Sequence, residues 1–191
     1  MKGTPSIFFA HSASLQDGPG EGSYSLVELL KRKLSGEHYI LFPVIEDPGA
    51  PTYAQWERLF AKEFKSLDRP MIFIGHSLGG SMLLKFISEE RPDIVVSALF
   101  LIATPQWGKD GWDIEEFRLK ADPKIPAAAP VFLNHSKDDD VVPVVHLEFY
   151  KDLFPHATVR VLNGDDHAFE NGLPQLIKDI RSLGSKDQNG H

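Results

Sequence analysis

Met71-Ile72-Phe73-Ile74-Gly75-His76-Ser77-Leu78-Gly79-Gly80 reads as a buried strand that turns sharply at a serine and continues as a helix. Met82, Leu83, Phe86 and Ile87 carry the apolar pattern onward at helical spacing. The turn has the form G-x-S-x-G, in which a serine on a strained strand-to-helix bend presents its hydroxyl outward. A side chain at Gly75 or Gly79 would crowd the neighbouring strand or helix. The following helix aims its N-terminal amides and the positive end of its dipole at the serine, and the Leu78 amide is placed to donate to a developing oxyanion. Ser77 is therefore the candidate nucleophile.

Working outward, five further apolar or β-branched runs bounded by Gly, Pro, Asp or Asn read as buried strands: Ile7 to Ala10, Tyr39 to Val44, Ala98 to Ala103, Val131 to His135 and Thr158 to Leu162. Helical patterns alternate with them at Ser25 to Leu34, Tyr53 to Ser66, Gly80 to Glu89, Val144 to Leu153 and Leu173 to Leu183. Strands and helices of these lengths in alternation predict parallel strands joined by right-handed crossovers, with helices on both faces. The expected fold class is α/β, a three-layer α/β/α sandwich around a mainly parallel six-stranded sheet.

The chain has 191 residues, 42% of them hydrophobic and 25% charged, which fits one globular domain over residues 1–184 with a polar tail at 185–191. A net charge of −7 disfavours nucleic acid and anionic membrane surfaces as partners. With no cysteine, disulfides, thiolate catalysis and cysteine-ligated metals are excluded. The apolar run Ile7 to Ala10 is too short for a signal-peptide core or a membrane span, so a cytoplasmic location is expected.

The elbow, the size and the alternating pattern resemble the α/β-hydrolase superfamily, and most closely the small serine hydrolases of the retinoblastoma-binding-protein type. The resemblance spans nearly the whole chain. It implies a compact α/β-hydrolase fold without the first antiparallel strands, and the order nucleophile, acid, histidine along the sequence.

A serine hydroxyl needs a histidine to take its proton and a carboxylate to hold that histidine in the right tautomer. After the run Val131 to His135 comes Ser136-Lys137-Asp138-Asp139-Asp140-Val141-Val142-Pro143, similar to the family's acid loop, where the functional Asp lies four residues before Pro. The resemblance selects Asp139, with Asp138 in reserve; Asp140 fits a capping or turn role. Asn163-Gly164-Asp165-Asp166-His167-Ala168-Phe169 is similar to the family's histidine loop and makes His167 the base. His11, His38, His76, His135, His146, His156 and His191 are expected to be structural or exposed.

Besides Leu78, the second oxyanion amide should come from the loop after the first strand, where Ala10-His11-Ser12-Ala13 resembles the family's His-Gly-x stretch. Ala13 is the choice, with Ser12 and Ser14 as alternatives, because Ser12 stands where Gly is usual. No H-E-x-x-H or comparable spacing favours a metal, and no cofactor is expected. The loop Gly18-Pro19-Gly20-Glu21-Gly22 lacks the Lys-Ser/Thr of a phosphate loop and reads as flexible. The long connection from Thr104 to Pro130, with Trp107, Trp112 and Phe117, is open between a packed segment and a small flap.

The expected chemistry is carboxylesterase-like cleavage of an ester-type acyl bond through an acyl-enzyme on a small or medium acyl substrate, with thioesterase and amidase activity open on the same triad. The alternative is a noncatalytic protein-interaction module on the same scaffold, which leaves a protein partner possible.

Overall fold

The computed structural model describes residues 6–90, 92–109, 111–120, 123, 129–164 and 166–186. Strands β1 (Ser6–Ala10), β2 (Ile40–Leu41), β3 (Met71–His76), β4 (Val96–Ile102), β5 (Val131–Ser136) and β6 (Thr158–Leu162) form one sheet in the order β2-β1-β3-β4-β5-β6. Every neighbouring pair runs parallel. Helices α1 (Tyr24–Lys33), α2 (Tyr53–Phe64), α3 (Leu78–Glu90) and α4 (His146–Leu153) lie in crossovers between strands, and α5 (Pro174–Lys186) follows β6. This is the α/β sandwich expected from the alternation of patterns.

Burial explains why these runs become strands. β1, β3 and the C-terminal part of β4 are buried along their length, so both faces of the sheet must be covered. On one face, Leu26, Val27 and Leu30 of α1 and Leu176 and Ile180 of α5 pack on Ile7, Phe9, Ile72, Ile74 and Phe100. On the other, Trp56, Phe60 and Phe64 of α2, Met82, Leu83 and Phe86 of α3 and Leu147 of α4 pack on Phe8, Phe73, Leu99 and Leu101. Successive residues of each strand thus feed opposite cores, as the period of two requires. α2 opens with a reciprocal cap, in which Thr52 accepts from the Gln55 amide and the Gln55 side chain accepts from the Thr52 amide.

Two boundaries differ from the sequence expectation by three residues, the end of β2 and the end of α5. The run Tyr39 to Val44 pairs with β1 only through Ile40 and Leu41. Pro43 has no N–H to continue the ladder, and Gln16 takes over, donating from Nε2 to the Pro43 carbonyl at 3.1 Å and accepting the Ile45 amide at 2.8 Å. At the other end of the chain, α5 runs through Lys186, so helical backbone enters the segment expected as a polar tail. Residues 187–191 lie outside the described residues.

The strand order reverses direction beside β1 and β3. β1 leads through α1 to β2 on one side, whereas β2 leads through α2 to β3 on the other. The loops leaving the carboxyl ends of β1 and β3 therefore diverge and open a crevice between them, the usual ligand position in such sheets. Ser77 sits at its edge with φ of 51°, a left-handed conformation costly for a residue with a Cβ. It is held there by its amide on the Ile102 carbonyl at 2.8 Å and by backbone packing around it. A Cβ on Gly75 would strike the Gly80 Cα, and one on Gly79 would strike the His11 carbonyl oxygen. The first turn of α3 thus lies directly on the end of β1.

Gly79→Ala is accordingly expected to destabilise the protein by about 3 kcal/mol or more, or to prevent folding, because the obstruction is backbone on both sides. Gly18→Ala, where nothing lies within 4 Å of the added carbon, should stay within about 0.5 kcal/mol of the parent. Urea unfolding of the two variants checks both.

Candidate active site

The carboxyl ends of β1, β3, β5 and β6 each deliver one loop to the crevice. Ser77 follows β3 directly and remains largely shielded, at 6% exposure. Asp139 lies in the turn after β5. Its Oδ1 accepts the amides of Val141 at 3.0 Å and Val142 at 2.7 Å, so the loop backbone wraps the carboxylate and sets its direction. His167 comes from the loop after β6, with Nδ1 2.9 Å from Asp139 Oδ2 and 3.0 Å from Oδ1. Since a carboxylate only accepts, the ring must carry a proton on Nδ1, and in its neutral form the lone pair is on Nε2.

Burial alone would raise the Asp139 pKa. The hydrogen bond and charge of His167, with the two amides, outweigh it and hold the carboxyl below its ordinary value. Asp139 is thus an anion at neutral pH. His135, at the end of β5, lies on its other side, 3.6 Å from Oδ2, and is bonded to the Val142 carbonyl at 2.8 Å. Burial lowers the pKa of that imidazole and keeps it a neutral neighbour.

The other two aspartates of the run do different things. Asp138 accepts the Gly164 amide, tying the acid loop to the start of the histidine loop, and does not touch His167. Asp140 is exposed at the pocket rim. The capping role expected for Asp140 is not observed, because α4 begins only at His146 and its N-cap is Val145. Asp166 accepts the Phe169 amide at 2.9 Å and braces the turn that carries His167.

Ser12, Ala13, Ser14, Gly20, Gly22, Ser77, Asp140, Val141, Asp166, His167 and Ala168 line an open cavity of about 470 Å³. Three of the predicted site residues, Ser77, His167 and Ala13, share its wall, and Asp139 stands behind His167. No hydrogen bond joins Ser77 to His167 among the described residues. Of the glycine loop, Gly20 and Gly22 line the cavity; a Cβ at Gly22 would strike the His11 ring and the Ser12 hydroxyl, whereas Gly18 and Gly20 have nothing within 4 Å.

Amide accounting separates the three oxyanion candidates. The Ser12 amide donates to Ser23 Oγ at 2.9 Å and the Ser14 amide to the Pro48 carbonyl at 3.0 Å. Ala13 has no such commitment among the described residues, and neither has Leu78 at the start of α3. Ser23 is a residue the sequence reading missed. Its position just before α1 suggests a cap, but its side chain does not cap the helix.

The described part of the Thr104 to Pro130 connection packs away from the cavity. Pro105 accepts hydrogen bonds from Ser81 Oγ at 2.8 Å and Tyr150 Oη at 2.7 Å, and Lys85 Nζ donates to the Arg118 carbonyl at 2.7 Å. Trp107 stacks edge to face with Trp112 and Phe117, and none of the three lines the cavity. Residues 110, 121, 122 and 124–128 of this connection lie outside the described residues. No group of metal-ligating side chains occurs among the described residues, and no helix there is long and apolar enough to cross a membrane.

Behind Ser77, His76 is fully buried, and burial first, then the nearby charge of His167, depresses its pKa to about 3. An unfolded histidine binds a proton near pH 6.5, so between these values the unfolded chain binds more protons and stability falls with falling pH. The protein is expected to lose about 2–3 kcal/mol of stability between pH 7 and about pH 4.5, less so as His76→Phe. Urea midpoints at the two pH values check this, and an equal drop in the variant would assign the loss elsewhere.

The family model for serine hydrolases matches residues 30–171, well over half of the chain. No curated protein matches in sequence. Among solved structures, the ydeN gene product of B. subtilis superposes with a TM-score of 0.74 at 16% identity, covering 95% of this chain and 100% of its own. The mouse α/β-hydrolase domain-containing protein 10 gives 0.69 at 20% identity, with 97% and 92% covered. A serine hydrolase from Xanthomonas campestris, described as lacking a lid, gives 0.63 at 14% identity, with 97% and 83% covered. At these identities the likeness is one of fold.

Proposed function

The chain belongs to the serine hydrolase family, and from that premise we propose that it cleaves an ester-type acyl bond of a small or medium substrate through Ser77, His167 and Asp139. The observation that carries this reading is the Asp139 carboxylate held on His167 Nδ1 at 2.9 Å, beside a cavity that also exposes Ser77. Within the superfamily, the compact size and the order of motifs favour the small hydrolases of the retinoblastoma-binding-protein type.

In this mechanism His167 Nε2 removes the Ser77 proton as Oγ attacks the acyl carbon. Asp139 keeps the proton on Nδ1 and stabilises the imidazolium that forms. The carbonyl oxygen becomes an oxyanion held by the Leu78 and Ala13 amides, two dipoles fixed before the reaction begins. His167 then returns the proton to the leaving alcohol. Water, activated by the same imidazole, releases the acid from the acyl-enzyme. No cofactor enters any of these steps. The cavity of about 470 Å³, open and without an aromatic cover among the described residues, suits a short or medium acyl group better than a long lipid chain.

A fluorophosphonate probe should label Ser77 in the pure protein, located by mass spectrometry, and labelling should vanish in Ser77→Ala and His167→Ala. Well-folded wild-type protein that takes no label would favour the noncatalytic scaffold and a protein partner instead. Asp139→Asn should retain the fold and lose roughly 10²–10⁴ in turnover of p-nitrophenyl acetate. Asp138→Asn should stay within about threefold of wild type, since among the described residues its carboxylate accepts only the Gly164 amide; a loss as large as that of Asp139→Asn would reverse the two assignments.

A further inference from the structure

His76 separates the glycine from the serine of the elbow, yet its side chain points away from the reaction, into the face covered by α1 and α5. It is fully buried, its ring 5.1 Å from that of His167 and 5.8 Å from that of Phe169. Nε2 lies 2.8 Å from the His167 carbonyl oxygen and Nδ1 lies 2.9 Å from Ser23 Oγ.

Ser23 Oγ also lies 3.2 Å from Ser12 Oγ, and the chemistry of the partners together with the shorter 2.9 Å bond to His76 sets the direction of each proton. A carbonyl oxygen only accepts, so Nε2 carries the proton and donates it to His167. A neutral imidazole then has a bare lone pair on Nδ1, which the Ser23 hydroxyl must fill. Ser23 Oγ in turn accepts the Ser12 amide at 2.9 Å. One directed chain results: Ser12 N–H to Ser23 Oγ–H to His76 Nδ1, and His76 Nε2–H to the His167 carbonyl. It starts in the loop that carries Ala13 and ends on the backbone of the histidine loop. Its middle member is bonded covalently to Ser77.

We propose that His76 and Ser23 are positioning residues, which through this one buried chain of hydrogen bonds hold the loop bearing Ala13 and the loop bearing His167 in fixed register with Ser77. Neither touches the reacting atoms. With Nε2 already protonated and Nδ1 already filled, His76 also cannot compete with His167 for the Ser77 proton. The inference rests on the catalytic reading above.

The roles separate in kinetics. Ser23→Ala and His76→Phe should each lower kcat for p-nitrophenyl acetate about tenfold or more, with KM within about twofold, because alignment is lost and binding surface is not. They should slow fluorophosphonate labelling of Ser77 in parallel. Because the two residues act as one chain, the double variant should be no slower than the slower single variant. Wild-type turnover in Ser23→Ala, or single losses that multiply in the double variant, would overturn the proposal.

Should His76→Phe fail to fold, two spectroscopic readouts need only wild type and Ser23→Ala. Imidazole nitrogen NMR should show His76 as the Nε2–H tautomer at about pH 7, and hydrogen exchange at the Ser12 amide should speed up in Ser23→Ala. The opposite tautomer, or an unchanged Ser12 amide, would remove the chain of bonds itself. Wild-type protein that resists the probe while showing the expected tautomer would instead bring down the catalytic reading, and the positioning role with it.

Discussion

The first turn of α3 presses onto the carboxyl end of β1 with no side chain between them, and the geometry around Ser77 follows from that approach. Gly79 meets the carbonyls of Ala10 and His11, while Gly75 meets Gly80 across the turn. The serine between them is left with a positive φ. That strain is tolerated because both elements it joins are buried, and relaxing the turn would pull α3 off the sheet. The same contact brings the loop after β1 within reach of the α3 amides. The proposed oxyanion site is therefore a by-product of how closely the two backbones approach.

Most of the architecture is legible in the sequence for a simple reason: a parallel sheet covered on both faces requires continuous apolar strands, and these stand out against the charged helices. The acid and histidine loops are legible because each directly follows a strand. Their identification as Asp139 and His167 leans on resemblance, since three consecutive aspartates are indistinguishable by composition. Only the folded loop shows that Val141 and Val142 turn their amides to the middle one.

What is not legible depends on partners distant in the chain. Ser23 looks like an ordinary helix-start serine, and nothing local reveals that it bridges Ser12, 11 residues earlier, and His76, 53 residues later. His76 reads as the variable position of a motif. The shortening of β2 is likewise a matter of context: Tyr39 to Val44 has strand composition, but Pro43 cannot donate, and the Gln16 side chain takes over the ladder's hydrogen bonds there.

The bond from His76 to the His167 carbonyl spans 91 residues of chain, and that distance orders events during synthesis. β1, the elbow and the loop holding Ser23 leave the ribosome well before the acid and histidine loops, at roughly 5–20 residues per second. A nascent chain therefore displays its serine hydroxyl for several seconds without the imidazole, and such a hydroxyl is no better a nucleophile than that of any other serine. On the proposed mechanism, reactivity arrives only when β5 and β6 have docked and the sheet is complete. On that mechanism competence and completion of folding are one event, and a chain cut short before residue 167 would retain the elbow sequence while staying chemically silent toward the acyl compounds around it.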